Sequence, residues 1–370
     1  MLKSSFSADI TKQQDMKSER ENMDINKALD FLKNSFLSDL LNKEGITDIS
    51  YNGESFFYVT NTMGRQYSPM KVSFSEIKDF LRQIANISEK QFSYQSPYLD
   101  VSIGPYRINA IHQSIARKGD NETLTFSVRV AGKQGLINDK SGFICPELIT
   151  LFEILLDEKI SLCLGGITGS GKTELQKYFL SKMKENTRVI VIDNILELSH
   201  ISLCENIDLN IWQADERNKE ANIQSLVRNA LRSNPDWLIV AESRGPEMLE
   251  VLNSAMTGHP IITTLHAFDV YSMPSRIGRM VMMNDKKMDY ENVMEDIYYH
   301  FRFYIYLKRV FNKNGSVFRY ISDVVQLDEK GKPHLIYTYQ KKKHLFSSLS
   351  KDLLSLIKEE NFKKLPEVFK

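Results

Sequence analysis

Short, uninterrupted apolar runs constrain the fold of this chain more than any other feature. The runs are "ISLCL" (160–164), "RVIVID" (188–193), "DWLIVAE" (236–242) and "PIITTLH" (260–266). Strands that lack polar alternation are typically buried on both faces of a parallel sheet. Helical patterns fall between them, for example Glu174–Lys184 and Ile223–Arg232. This alternation predicts an α/β domain.

A glycine-rich loop follows the first run and leads into a helical pattern. Residues 166–173, "GITGSGKT", satisfy the pattern G-x-x-x-x-G-K-[ST] in the strand–loop–helix context that it requires. Glycines let the backbone surround a β-phosphate with N–H groups, and the helix adds its positive end. We expect Lys172 to reach the β- and γ-phosphates and the Thr173 hydroxyl to hold Mg²⁺. The predicted nucleotide-binding residues of the loop are Gly166, Thr168, Gly169, Ser170, Gly171, Lys172 and Thr173.

Polar residues end three of the other apolar runs. Glu242 ends "LIVAE" and Asp193 ends "VIVID", and an unpaired carboxylate at such a position is costly to bury. Both are therefore candidate catalytic acids at the edge of the sheet where the loop lies. His266 in "TTLHA" is a candidate sensor of the γ-phosphate. Two alternatives stay open: Glu242 pairs with Arg244 in a loop, and His266 is a satisfied core residue.

Length and composition set wider limits. The chain has 370 residues, which is enough for two domains, and its 48 basic residues balance 47 acidic ones. This balance gives no global indication of a nucleic-acid-wrapping protein. Three cysteines without CxxC spacing favour a reduced, cytosolic setting. No apolar run approaches the roughly 20 residues of a bilayer span, so we expect membrane association to be peripheral or through a partner.

The changes of pattern along the chain predict five segments. Residues beyond 300 read as strands separated by "NKNG" and "DEKGK", which predicts an antiparallel ending to the second domain. The predicted segments are a mobile leader (1–24), a smaller α+β domain (25–130), a polar linker (131–142), the α/β domain (143–340) and a lysine-rich helical tail (341–370).

The order of these motifs resembles a known family, the secretion-superfamily traffic ATPases. The stretches that carry the resemblance are "GITGSGKT", "RVIVIDNILEL", "LVRNALRSNPDWLIVAESRGPEMLEVLNSAMTGHPIITTLHA" and "SMPSRI". Upstream, "LLNKEGITDISYNG", "SPYLDVSIGPYRINA" and "LTFSVR" resemble the domain that precedes the motor in the type IV secretion and tight-adherence pilus branches. The resemblance covers nearly the whole chain. It implies a RecA-like P-loop NTPase motor domain behind a smaller α+β domain.

Residue by residue, the resemblance assigns roles to several positions. The Walker A residues fall on Lys172 and Thr173, the Walker B glutamate on Glu242, which would hold Mg²⁺ through water, and the histidine-box residue on His266.

Two arginines and the acidic box complete the assignment. Arg107 and Arg129 match arginines that reach the nucleotide phosphates in that family. A surface salt bridge is the alternative for each. The family's Ile-Glu-Asp-Thr box reads Ile-Asp-Asn-Ile here, so Asp193 keeps the acid and Asn194 replaces the next one. Glu197 matches the glutamate of the Glu-Leu pair that follows.

The resemblance implies an ATP- and Mg²⁺-dependent motor that powers a secretion, conjugation or pilus machine. It implies a homo-hexamer on the cytoplasmic side of the inner membrane, with channel components as partners. The four-cysteine motif of the type II branch is absent, so we expect no zinc. An assembly subunit that binds ATP and barely hydrolyses it stays open because of Asp193-Asn194. A small-molecule kinase fits poorly, since no arginine-rich lid follows the motor strands.

Overall fold

The computed structural model describes residues 26–132, 135–200, 206–216, 218–284 and 287–370. The predicted leader and Cys204 lie outside these residues. The chain divides into two compact units. The first comprises Met1–Gly132 and Phe311–Val317, and the second comprises Lys133–Val310 and Phe318–Lys370.

The first unit is built on a six-stranded antiparallel sheet with the order β3-β2-β1-β8-β5-β4. Aromatic and aliphatic side chains on one face of this sheet form its core with the helices. The helices are α1 (residues 26–33), α2 (Ser38–Leu41) and α3 (Phe74–Ile87). The strands are β1 (Ile46–Tyr51), β2 (Phe56–Thr60), β3 (Gln66–Ser68), β4 (Tyr98–Ile103), β5 (Tyr106–Ile111) and β8 (Thr125–Val130), with β6 (Arg117–Lys118) and β7 (Asn121–Glu122) as a separate pair.

Helix α3 shows how the local sequence builds this unit. The Ser73 side chain caps the helix by accepting a hydrogen bond from the Glu76 N–H, which satisfies one of the first backbone donors. Ile77, Leu81 and Ile84 recur at helical spacing and are fully buried. The helix therefore packs one apolar face into the core.

The second unit is built on a nine-stranded sheet with the order β11-β10-β12-β13-β9-β14-β15-β16-β17. Its strands are β9 (Leu162–Gly166), β10 (Arg188–Asp193), β11 (Asp208–Gln213), β12 (Trp237–Val240), β13 (Ile261–Leu265), β14 (Phe303–Phe311), β15 (Val317–Leu327), β16 (Pro333–Gln340) and β17 (Lys343–Phe346). Its helices are α4 (Pro146–Asp157), α5 (Lys172–Ser181), α6 (Ile223–Ala230), α7 (Met248–Met256), α8 (Met273–Val281), α9 (Tyr290–His300), α10 (Lys351–Leu354) and α11 (Glu359–Lys364).

The central strands of this sheet are parallel and have a core on each face. Strands β9 to β14 pair in parallel registers. Alternate residues of each strand enter opposite cores: Leu162 and Leu164 lie in one, and Cys163 lies in the other. Burial on both faces explains why the sequence shows apolar runs without polar alternation. Because these strands run parallel, their carboxyl ends lie at one edge of the sheet.

The first of the three strands predicted for the antiparallel ending also has a parallel neighbour, which the sequence analysis did not predict. β14 pairs in parallel with β9, with Leu307 opposite Gly166, and it extends the parallel part of the sheet. β15, β16 and β17 then continue in antiparallel pairs. The apolar start of β14, "FYIYL", is fully buried, which is the pattern of a central strand.

The predicted linker and the predicted tail both pack against the second unit. Residues 135–142 contact α5: the Leu136 N–H donates to Glu174 Oε2 at 2.7 Å, and Asp139 accepts from Tyr178 Oη at 2.9 Å. The expected helical tail begins instead with strand β17, and only residues after 350 form short helices. Its apolar residues are buried in the core of the second unit, among them Leu353, Leu365 and Phe369. None of the helices in the described ranges is long and apolar enough to cross a bilayer.

Candidate nucleotide-binding site

The loop between β9 and α5 adopts a conformation that only glycine accepts readily. Gly169 and Gly171 have φ angles of 72° and 105°. A Cβ at Gly166 would lie 2.5 Å from Ser170 Oγ and 2.6 Å from the Leu307 carbonyl oxygen. Ser170 Oγ is buried and has no hydrogen-bond partner among the described residues. The loop therefore forms a crowded cradle with an unsatisfied polar atom in it, as expected of a site that receives a polar ligand.

Lys172 lies inside this loop at the start of α5. The residue is buried, and its ammonium donates to the carbonyl oxygens of Gly166 at 2.9 Å and Ile167 at 3.2 Å. Its Nζ is also 3.4 Å from His266 Nδ1. A buried ammonium held by carbonyls at a helix N-terminus can exchange these contacts for phosphate oxygens.

Glu242 follows β12 and its carboxylate is largely buried. Arg244 Nη2 donates to Oε2 at 2.8 Å. His266 Nε2 lies 3.0 Å from Oε1, yet Oε1 is buried without a well-aligned hydrogen bond from the described residues. Burial acts to raise the pKa of Glu242, but the Arg244 hydrogen bond and the charges of Arg244, His266 and Lys172 outweigh it and lower the pKa. The group is therefore a carboxylate at neutral pH, with Oε2 held by Arg244 and Oε1 facing His266.

His266 links the loop to the acid. Its Nδ1 is 3.2 Å from the Gly166 carbonyl oxygen, and its Nε2 faces Glu242. Burial lowers the pKa of His266, the Lys172 charge lowers it further, and Glu242 acts in the opposite direction with less effect. The imidazole is thus neutral at pH 7 and joins Lys172 and Glu242 into one connected cluster.

Asp193 ends β10 but differs in its surroundings. The residue is buried, and its two oxygens accept hydrogen bonds from the backbone N–H groups of Ile195 at 2.9 Å and Leu198 at 3.3 Å. Burial raises its pKa against the lowering effect of these hydrogen bonds. Glu197 opens the 3₁₀ turn Glu197–His200 that Asp193 holds. The carboxylate of Asp193 is therefore engaged in shaping the chain after β10.

Arg107 and Arg129 lie in the first unit, on the exposed face of its sheet. They are direct cross-strand neighbours on β5 and β8. Arg107 forms a bidentate ion pair with Asp100, at 3.0 Å from Nε to Oδ1 and 2.8 Å from Nη2 to Oδ2. The salt bridge considered from the sequence is therefore present at Arg107. Acidic residues accompany both arginines, since Arg107 pairs with Asp100 and Arg129 lies directly opposite Asp48 on β1.

Two arginines near the loop had no signal in the sequence analysis. Arg319 Nε donates to the Gly169 carbonyl oxygen at 2.7 Å, and a Cβ at Gly169 would lie 2.5 Å from Arg309 Nη1. Arg309 lies on β14 and Arg319 lies on β15. The parallel placement of β14 beside β9 was the missing information, because it brings these strands next to the loop.

The parallel sheet and the loop at its edge define the class of this protein as a P-loop NTPase. Residues 127–296 match a family model described as "Type II/IV secretion system protein". Over these residues, slightly less than half of the chain, the protein is similar to the type II/IV secretion proteins. The resemblance identified in the sequence is thereby confirmed.

The chain is similar to several curated proteins, two of which are described as conjugal transfer or type IV secretion proteins. An uncharacterized Bacillus anthracis protein is 28% identical over 298 residues, which cover 77% of this chain and 66% of that protein, just under two thirds of its length. A putative conjugal transfer protein of Mycobacterium tuberculosis is 25% identical over 253 residues, covering 65% of this chain and 71% of that one. The type IV secretion system protein VirB11 of Brucella suis is 30% identical over 146 residues, covering 37% and 39%.

Solved structures show the same fold. The Legionella pneumophila ATPase DotB matches with a TM-score of 0.59 at 22% identity, covering 80% of each chain. The pilus retraction motor PilT with bound ADP matches with a TM-score of 0.54 at 18% identity, covering 79% of this chain and 83% of that one. The predicted fold class, a P-loop NTPase domain of α/β type with a preceding α+β domain, is confirmed.

Proposed function

We propose that this protein is a Mg²⁺-dependent ATP hydrolase that works as a ring-forming motor of a type IV secretion, conjugation or related pilus machine. The observation that carries the proposal is the chain of short contacts from Lys172 through His266 to Glu242 at the edge of the parallel sheet. It joins a phosphate-binding cation and an ionised carboxylate, which hydrolysis of a nucleoside triphosphate uses, through a neutral imidazole between them.

The loop and its surroundings would hold ATP and the metal ion. Lys172 and the backbone N–H groups of the loop would bind the phosphates. Thr173 Oγ1 and, through water, Glu242 would hold Mg²⁺, which supplies charge neutralisation on the phosphates. The buried unsatisfied atoms Ser170 Oγ and Glu242 Oε1 fit this occupancy, because each gains a partner when a ligand and its waters bind.

Glu242 is the proposed general base. Its lowered pKa keeps it ionised, so that Oε1 can accept a proton from the attacking water. Arg244 orients the carboxylate through Oε2. His266 would respond to the γ-phosphate as a neutral donor or acceptor beside Lys172.

The remaining parts of the proposal rest on the resemblance to the type II/IV secretion proteins. Arg107 and Arg129 would contact nucleotide phosphates, with Arg107 exchanging its partner Asp100 for them. The functional assembly would be a homo-hexamer in the cytoplasm, associated with channel components at the inner face of the cell membrane. Size-exclusion chromatography with light scattering tests the ring: a mass of six chains with ATP is expected, and a monomer at all concentrations contradicts it.

A paired substitution tests the enzymatic part. Glu242→Gln should retain binding of a fluorescent ATP analogue and lose steady-state hydrolysis, whereas Lys172→Ala should lose binding itself. Lys308→Gln, at an exposed position on β14, is the control and should match wild type. Unchanged turnover in Glu242→Gln would refute its role as the base.

A second function is favoured by one observation. Both oxygens of Asp193 are engaged by backbone N–H groups and the next residue is Asn194, so the acidic box contributes no carboxylate oxygen without a partner. An assembly subunit that binds ATP and barely hydrolyses it would have this feature. Hydrolysis at background level in assembled, unmutated protein, together with tight ATP binding, would favour this second function over the motor.

A further inference from the structure

Two basic side chains lie beside the phosphate loop. In the parallel register of β14 and β9, Leu307 lies opposite Gly166, where the loop begins. Side chains two residues apart on a strand share a face. Leu307 approaches Gly171, with its Cδ2 3.7 Å from the position of a Cβ there, and Arg309 comes next on that face beside Gly169. β15, the next strand, contributes Arg319.

The contact of Arg319 determines the orientation of a loop peptide. Its Nε donates to the Gly169 carbonyl oxygen at 2.7 Å, and its Cδ lies 3.9 Å from the position of a Cβ on Gly171. In a trans peptide the C=O and the following N–H point in opposite directions. The contact therefore directs the Ser170 N–H away from Arg319 and into the loop, where it donates to the Ile167 carbonyl oxygen at 3.2 Å.

The interior of the loop is the place where a phosphate would bind. The Ile167 carbonyl oxygen accepts from both the Ser170 N–H and Lys172 Nζ, so these two donors converge on one point inside the loop. Both can transfer to a phosphate oxygen, which is a stronger acceptor because it is charged. Arg309 and Arg319 both approach Gly169 and bring positive charge beside the loop.

We propose that Arg319 is a positioning residue of the nucleotide site: by holding the Gly169 carbonyl it keeps the Ser170 N–H aimed at a bound polyphosphate, and Arg309 beside it adds favourable charge. This inference rests on the proposed nucleotide binding at the loop. Since Arg319 acts through the loop peptide, its removal affects nucleotide binding before it affects the chemical step. The arginine is specific for this role because Nε is a directed donor on a rigid planar group.

Equilibrium binding tests the proposal on the full chain. Fluorescent ATP and ADP analogues are titrated in the presence of EDTA, so that the metal does not contribute. Arg319→Gln should weaken both by about 10- to 100-fold, the range of a lost charge-assisted hydrogen bond. Arg319→Lys should recover only part of the affinity. Lys308→Gln, which removes the same charge from an exposed position on β14, should bind like wild type.

Two further measurements separate positioning from general destabilisation. Backbone amide exchange at residues 167–171 without nucleotide should be faster in Arg319→Gln, while the thermal midpoint stays within about 2 °C of that of Lys308→Gln. In steady-state hydrolysis the KM should rise by more than kcat falls. If Arg319→Gln does not fold, Arg319→Lys carries both measurements.

The results distinguish the inference from the function on which it rests. Loss of binding in Lys172→Ala, with wild-type affinity and exchange in Arg319→Gln, would overturn the role of Arg319 alone. Wild-type binding in Lys172→Ala would overturn nucleotide binding at this loop and the inference with it. Weakened binding in both, with faster loop exchange and an unchanged thermal midpoint in Arg319→Gln, would support the positioning role.

Discussion

Two strand ends at the same edge of the parallel sheet carry an acidic residue, and they differ in what surrounds the carboxylate. Glu242 after β12 has one oxygen on Arg244 and the other buried without a well-aligned hydrogen bond. Asp193 at the end of β10 has both oxygens on backbone N–H groups. β10 and β12 are neighbours. Of the two strand-terminal acids, the candidate base is therefore the one whose oxygens are not both held by backbone N–H groups.

The charge state of the two acids differs as well. The pKa of Glu242 is lowered, because Arg244 and the nearby cations outweigh burial. The pKa of Asp193 is raised, because burial outweighs two backbone hydrogen bonds. The neighbouring cations keep Glu242 in the ionised form that can accept a proton. An acid that caps a turn needs only N–H donors.

The largest expected effect is on turnover. Glu242→Gln should reduce kcat by about 10²- to 10⁴-fold, the usual contribution of a general base. Asp193→Asn should stay within about threefold of wild type, because no proton transfer involves it and the amide oxygen can still accept an N–H. Steady-state phosphate release checks both. Equal losses in the two variants would remove the distinction between the strand ends.

The next effect is on stability, and here we expect the larger change from substitution of Asp193. Asp193→Ala should destabilise the second unit by about 1–3 kcal/mol, because two buried N–H groups lose their acceptor. Asp193→Asn is the matched control and should cost less. Both tryptophans, Trp212 and Trp237, lie in this unit on the strands flanking β10, so their fluorescence during urea unfolding follows it selectively. A wild-type unfolding midpoint in Asp193→Ala would contradict a structural role.

A smaller effect appears in the pH dependence of stability, with opposite signs for the two acids. Glu242 has a folded pKa below the ordinary 4.5, so its ionised form contributes stability above that value and loses it as pH falls through the folded pKa. Asp193 has a folded pKa above the ordinary 3.8, so its contribution is present below that value and is lost as pH rises through the folded pKa.

Tryptophan unfolding midpoints between about pH 3 and 7 test this pair of signs, since the Glu242 effect lies below its ordinary pKa of 4.5 and the Asp193 effect above its ordinary 3.8. As pH rises, wild type should gain stability relative to Glu242→Gln and lose stability relative to Asp193→Asn. If the stability difference from wild type changes in the same direction with pH in both variants, or does not change in either, the two carboxylates do not have oppositely shifted pKa values.

The smallest expected effect concerns His266. Its folded pKa lies below the ordinary 6.5, so the unfolded chain binds its proton first and stability falls as pH drops below that value. His266→Asn should flatten part of this acid-side loss, while ATP binding in wild type should change little between about pH 7 and 8. Strong loss of binding on deprotonation near neutrality would instead indicate a charged imidazole in the site.

Much of the second unit was predictable because its signals are local. Buried parallel strands leave apolar runs, and the strand–loop–helix context locates the phosphate loop within a few residues. The predicted run 188–193 coincides with β10. Strand β11 and helix α9 were not predicted, since β11 is only partly buried and α9 buries three apolar residues among polar ones.

What the amino-acid sequence determined by itself was the α/β fold, the loop and the order of the acids, because periodicity and glycine placement are properties of neighbouring residues. Only the tertiary structure decided which of the two acids has both oxygens bound to backbone N–H groups. It also decided that β14 lies parallel to β9. That placement brings Arg319 to Gly169 across 150 residues of chain. Pairings at such separation follow from the packing of the whole sheet, and no local pattern in the sequence encodes them.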